Sequence, residues 1–310
     1  MSAATDLVDV DGAGRSRVRR PRRSAYAALG RPSTALTVVM LAFVVYFLIP
    51  LVWLFMSSTK SNAALYTSFG LGFSNEGVQL FGNIGKTFTK DHHVFVQWML
   101  NTLLYAGVSS VGAAMLATIG GYGFAKYSFR GKEKLFGVIL GSIMVPATAL
   151  AIPTFLLFSR VGLVNTRWAI ILPSLLSPFG IYLMRVYASE AIPDSLLEAA
   201  RIDGASEFRI FRQVAFRQLA PGFITVLLFT LVSTWNNYFL PLIMLNNPRL
   251  FPITVGLAQW NGQATAGSGS EIALNVVLTG AFVAILPLCI AFLFLQRYWQ
   301  SGLGTGSVKE

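Results

Sequence analysis

Charge is scarce in this chain of 310 residues. Only 12% are Asp, Glu, Lys or Arg, about half the share usual in soluble domains. The scarcity is uneven, and six stretches carry none of the four: Ala35–Met56, Val94–Ala125, Leu135–Ser159, Trp168–Met184, Gln218–Pro248 and Ile272–Gln296. Cysteine is scarcer still. The single Cys289 lies in the last apolar stretch, which excludes a disulfide framework and a thiolate metal cluster. No carboxylate falls within the apolar stretches, so the ionisable relays of proton- or ion-coupled carriers are missing. There is no HExxH zinc site, no serine nucleophile elbow and no repeat of fixed period.

What is present is length. About 20 apolar residues cross ~30 Å of hydrocarbon as a helix, and five of the six stretches reach that length. The fourth is shorter, but Trp168 and Arg185 flank it as interfacial anchors. The expectation is an all-α, polytopic membrane bundle of six transmembrane helices. The first stretch is too long for a signal-peptide core and no small-residue cleavage site follows it, so it is expected to stay in the protein.

Positive charge orients the bundle. Giving the N-terminus and every second loop to one side places 18 of the 24 Lys and Arg residues there: those of 15–31, Lys126–Lys134, Arg185–Arg217 and the tail after Gln296. The other side keeps Lys60, Lys86, Lys90, Arg160, Arg167 and Arg249. The basic side is expected to be cytoplasmic, with both termini inside a bacterial plasma membrane. The net charge of +11 is thereby a topology signal, and no soluble basic recognition surface for nucleic acid is evident. The expected division is a basic segment 1–32 without ordered structure, whose arginines lie beside anionic lipid headgroups or simply enforce topology, a membrane domain 33–300 and a tail 301–310.

Two short patterns imitate chemistry. Gly82-Asn-Ile-Gly-Lys-Thr87 has the end of a phosphate-binding loop, but that motif needs glycine at 80, where Leu stands. The adjacent His92 and His93 cannot both face one metal from a helix, where ligands come at i and i+4, and they read as exposed loop residues.

The informative segment is the long loop Ser189–Val214, within the basic region 189–217. Pro193 and Asp194 can open a helix, and Leu196, Leu197, Ala200 and the stem of Arg201 then share one face. Asp203-Gly204 interrupts it, since glycine permits a left-handed turn. A second short helix follows, with Phe208 and Phe211, and Ile210 and Val214, as apolar rows. Two amphipathic helices meeting at a glycine turn make a docking element for a cytoplasmic partner, or an interfacial pair lying on lipid.

The string Glu198-Ala-Ala-Arg-Ile-Asp-Gly-Ala-Ser206 resembles the EAA loop of ATP-binding-cassette importer permeases. Met144-Val-Pro146 running to Ile152-Pro153, Gly162–Thr166, Leu172-Pro173, Pro178-Phe-Gly180, the block Trp235–Pro241 and the final Gln296-Arg-Tyr narrow the resemblance to the carbohydrate permeases of the maltose permease (MalG-like) group, over roughly residues 35–310. One departure is Arg217, where the family usually has proline; Val214 and Pro221 match.

The resemblance implies the type I importer permease (MetI-like) fold. It also implies one half of a permease heterodimer, joined by two cytoplasmic ATPase subunits and an extracytoplasmic sugar-binding protein. ATP and Mg would sit on the ATPases, with no cofactor and no catalysis in this chain. ATPase coupling would fall to Glu198, Ala199, Ala200, Asp203, Gly204, Phe208 and Phe211. The segment Asn246–Glu271 resembles the loop that in this group reaches the binding protein. Polar residues within apolar stretches are candidates for the sugar path: Asn101 and Thr102, Thr234, Asn236, Asn237 and Asn275. Asparagine both donates and accepts, as sugar hydroxyls require; interhelical hydrogen bonding is the competing role. Two other functions remain open: a permease of the same superfamily for a non-sugar solute, and a secondary carrier.

Overall fold

The computed structural model describes residues 8–10, 16–18, 34–266 and 272–304. Contacts divide the chain at Val52 into two units. In the first, strands β1 (Val8–Val10) and β2 (Ser16–Val18) pair antiparallel, with Val8 opposite Val18. They lie in the segment expected to lack ordered structure; its remaining residues are outside those described. Helix α1 (Thr34–Ser58) starts in this unit and exposes its apolar side chains from Leu36 to Trp53, as a span presents them to hydrocarbon.

Among its described residues the second unit has helices and the turns that join them, and no strand. After α2 (Asn62–Thr67), α3 (Leu80–Lys126) is the longest element. Its backbone leaves the helix at Lys90–His93, where Asp91, His92 and His93 are all left-handed. From Val94 it runs unbroken to Lys126.

The apolar stretch Leu135–Ser159 does not form one helix. It gives α4 (Lys132–Ile143), a run of turns, and α5 (Ala151–Arg160). Pro146 explains the interruption: it has no N–H to donate, and its ring pushes Val145 out of helical backbone. Pro153 is tolerated inside α5 because it stands in the first turn, where amides lack partners anyway. Among the described residues five helices are therefore long and apolar enough to cross a membrane, not the six expected.

The fourth stretch is also jointed. Helices α6 (Trp168–Ser174) and α7 (Pro178–Ala191) meet at Ser177, whose hydroxyl accepts the Gly180 amide at 3.1 Å with Pro178 at the first helical position. Together they cover Trp168–Ala191, past the expected end at Met184.

Helix α8 (Asp194–Ile202) precedes α9 (Glu207–Ile210), which passes through a π-turn (Phe211–Ala215) into α10 (Phe216–Trp235). This run contains Arg217, so the helix continues where the family's proline is absent, and it survives Pro221 four residues later. After Asn236–Tyr238 come α11 (Phe239–Met244), α12 (Ile253–Thr265) and α13 (Leu274–Gly304).

Two apolar clusters hold the unit. One gathers Phe95, Trp98, Trp260, Ile170 and Val276; the other Ala114, Ala117, Tyr122, Met184, Leu197, Ile210 and Leu219. Small residues let α3 and α7 touch backbone to backbone. A Cβ on Gly121 would overlap Met184 and stand 2.7 Å from the Arg185 amide nitrogen.

Candidate functional site

The loop between α7 and α10 has the two helices and the turn that its sequence encodes. Gly204 sits at φ +76°, a conformation that costs a Cβ-bearing residue about 1–2 kcal/mol. Its amide donates to the Arg201 carbonyl at 3.0 Å, and the Ala205 amide reaches back to the Ala200 carbonyl at 3.1 Å. This pair of bonds is the Schellman closure, which satisfies carbonyls that a helix end would otherwise strand.

Burial sorts the residues of the pair. Leu197 and Ile210 are buried against the second cluster, and Ala200 and Phe211 pack onto it, Phe211 with its ring 5.2 Å from Tyr122. Glu198, Ala199, Asp203, Gly204 and Phe208 are exposed. Ala200 and Phe211, singled out in the sequence together with these, therefore face inward. Ile202 was not singled out, yet it is 87% exposed, and Phe208 is 71% exposed. Two large apolar side chains are thus exposed on the same helix pair as Glu198 and Ala199.

Polar bonds fix the pair from behind. Lys126 Nζ meets Asp194 Oδ1 at 2.8 Å. Tyr127 donates its hydroxyl to Glu207 Oε2 at 2.7 Å, and Arg201 Nε donates to Glu207 Oε1 at 2.7 Å. The hydrogen bond from Lys126 holds the Asp194 carboxyl below its ordinary range, and burial together with the Glu207 bond raises the Tyr127 hydroxyl. Sequence reasoning missed Lys126, Tyr127 and Glu207. A charge six residues from its partner across a glycine turn, and a tyrosine some 80 positions away, leave no local pattern.

The path candidates separate into two groups. Asn101 is buried and gives its amide hydrogens to the Arg249 and Phe251 carbonyls at 2.8 and 3.1 Å, while accepting from Gln97. Thr102 Oγ1 accepts the Ile253 amide at 2.8 Å. Trp98 and Tyr105 donate to the Pro248 and Leu250 carbonyls. Positions 98, 101, 102 and 105 form one helical stripe, and the whole stripe hooks the segment 248–253. Asn165, left-handed within Gly162–Thr166, accepts the Asn246 and Asn247 amides at 2.9 Å and extends the anchorage.

Asn275 is likewise buried, donating to Asn83 Oδ1 at 2.9 Å. Asn83 donates to the Ser58 and Lys60 carbonyls, and the fully buried Lys60 reaches the Phe69 carbonyl at 2.6 Å. Asn101, Thr102 and Asn275 are thus engaged in internal bonds. Thr234, Asn236 and Asn237 cluster where α10 ends. Asn236 is exposed with its amide on the Val232 carbonyl, Asn237 is half-buried, and Thr234 is buried.

His92 and His93 are exposed, with His93 Nδ1 2.8 Å from the Phe88 carbonyl, and no group of metal-ligating side chains occurs among the described residues.

The chain is 30% identical over 276 residues to the arabinooligosaccharides transport system permease protein AraQ of Bacillus subtilis, covering 89% of this chain and 95% of that one. It is 31% identical over 260 residues to the lactose transport system permease protein LacG of Rhizobium radiobacter, covering 84% and 90%. A chain of a bacterial ABC transporter involved in the import of the acidic polysaccharide alginate shares the fold. Its TM-score is 0.75 at 24% identity, over 90% of this chain and 99% of that one. Residues 110–304, from mid-α3 through the glycine turn to the end of α13, match one family throughout. This chain, a multi-pass membrane permease and not an enzyme, belongs to the binding-protein-dependent transport system inner membrane components.

Proposed function

We propose that this chain is one of two permease subunits of an ATP-driven importer of di- or oligosaccharides, and that α8, Gly204 and α9 seat it on a cytoplasmic ATPase. The observation carrying this reading is the uncovered surface of Glu198, Ala199, Ile202 and Phe208 on a helix pair tied down by Asp194, Arg201 and Glu207. An interfacial helix on lipid would present a row of apolar residues with charge only at its rim; here Glu198 and Asp203 share the exposed surface. The named cargoes of the related permeases, arabinooligosaccharides and lactose, support a sugar.

The partners are a second permease, two ATPase subunits holding ATP and Mg, and an extracytoplasmic sugar-binding protein that meets the region after Asn246. Six crossings are retained in this reading. Helices α4 and α5 have 12 and 10 residues, about 18 and 15 Å at 1.5 Å per residue. End to end they match the ~30 Å hydrocarbon layer. Both termini, Lys132 and Glu207 are cytoplasmic, and Lys86 is outside. Thr234, Asn236 and Asn237 are the residues offered to the sugar path.

The test is to purify the transporter with its partner subunits from wild type, Glu198→Lys and Gly204→Asp, then measure ATPase retention and sugar uptake. Loss of both in the variants, with the chain still membrane-inserted, is expected. Normal uptake in both variants, or uptake that survives deletion of the ATPase, sinks the proposal.

A further inference from the structure

Asp194 and Glu207 are the first residues of the two short helices, and each is bound by one of two consecutive residues at the end of α3. The Lys126 side chain is only 6% exposed, so its ammonium is a fixed post rather than a mobile surface charge. Tyr127 is braced by the edge of Tyr122, ring centroids 5.7 Å apart, and Tyr122 in turn by Phe211. Arg201 closes the arrangement by gripping Glu207 across the glycine turn. None of these bonds uses Glu198, Ala199, Ile202 or Phe208. About 36 Å along α3, at 1.5 Å per residue from Lys126 back to Thr102, the stripe Trp98–Tyr105 holds the segment 248–253.

We infer that Lys126 and Tyr127 are positioning residues that clamp the helix pair to α3, so that a displacement of the pair is carried as one rigid movement to the segment 248–253. A helix is stiff along its axis, and coupling through it requires that both ends be fastened rather than merely adjacent. The fastening at the pair is one charged contact and one charge-assisted hydrogen bond. The fastening at the segment is the five hydrogen bonds of the stripe. The clamp acts on the ATPase stroke, and so rests on the proposed role of the pair in docking.

The experiment uses the complete transporter in lipid vesicles, with wild type, Tyr127→Phe, Lys126→Glu, Asp194→Lys and the swapped Lys126→Glu/Asp194→Lys chain. Three quantities are measured: ATPase retained, ATP hydrolysed with binding protein present, and solute taken up per ATP. Tyr127→Phe removes one hydroxyl from a hydrogen bond to a charged group and is expected to lower uptake per ATP roughly tenfold, with the ATPase still bound. Lys126→Glu and Asp194→Lys should each lower it in the same way, and the swap should restore a large part. Unchanged uptake per ATP in Tyr127→Phe and Lys126→Glu overturns the clamp. So does a loss matched by loss of the ATPase, because the residues would then serve docking or folding. If even the wild-type chain retains no ATPase, the docking assignment itself fails, which is a different result from either.

Discussion

The interior of the bundle and the α8–α9 pair treat polar residues in opposite ways. Inside, Asn83, Asn101, Thr102 and Asn275 are buried and make their hydrogen bonds within the chain: the asparagines donate to backbone carbonyls and to one another, and Thr102 accepts a backbone amide. On the pair, charged groups are partnered by Arg201 and Tyr127, while Ile202 and Phe208 are exposed. A buried donor already satisfied has nothing to offer a ligand without losing a bond worth about as much. An exposed Phe or Ile gains about 1.5–3 kcal/mol when something covers it. In this chain the buried Asn101, Thr102 and Asn275 have their bonds filled from within, whereas the unfinished contacts lie on the helix pair.

The contrast can be attacked from the inside first. Asn83→Leu takes the short bonds from the Ser58 and Lys60 carbonyls and the Asn275 amide together, leaving only the long contacts from Thr279 to Ser58 at 3.4 Å and from Asn275 to Lys60 at 3.5 Å, at up to about 1–3 kcal/mol for each buried group. The expected outcome is little folded protein in the membrane by detergent-extracted yield and size exclusion. A normal yield would show that the interior bonds are dispensable. Asn101→Ala releases the Arg249 and Phe251 carbonyls and is expected to cost about 1–3 kcal/mol, read as a lower midpoint in thermal unfolding. Solute preference should stay unaltered in the protein that survives. A change of preference would return Asn101 to the sugar path.

The pair should respond the other way. Ile202→Ser with Phe208→Ser removes exposed apolar surface, so thermal stability should change by no more than about 0.5 kcal/mol, whereas ATPase retention should fall. Reduced stability with retention intact would reverse the comparison. The smallest effect is expected at Arg217→Pro. A helix-interior proline costs about 3 kcal/mol. Here the wider π-turn ending at Ala215 loosens the preceding carbonyls, so the cost should be well below that figure in the same unfolding assay. A full-sized loss would mean that the π-turn relieves nothing.

Much of this was legible because the relevant physics is local. Charge-free length marks a span, and Asp203-Gly204 between two amphipathic rows marks a turn whose φ then follows from glycine's freedom. The missed features are non-local or depend on backbone. Leu135–Ser159 was read by its lack of charge, a criterion blind to Pro146, although the proline was in plain view. The interruption at Lys90–His93 has no glycine to announce it. Trp260 donates to Asp91 at 3.1 Å from 169 residues away, a contact that only the folded chain reveals. Asn101 and Asn275 were visible as polar residues in apolar stretches; their carbonyl and amide partners were not.

The exposure of Ile202 and Phe208 also bears on how such a subunit is made. A chain that has inserted but not yet met its ATPase carries, on a rigid helix pair, the kind of uncovered apolar surface that holdase chaperones bind and quality-control proteases sample. If the pair docks as proposed, it doubles as a timer: assembly would hide it, and delay would leave it displayed. On that reading the amount of permease in the membrane would track the supply of the docking ATPase, because the same two side chains would be covered only in the complete complex.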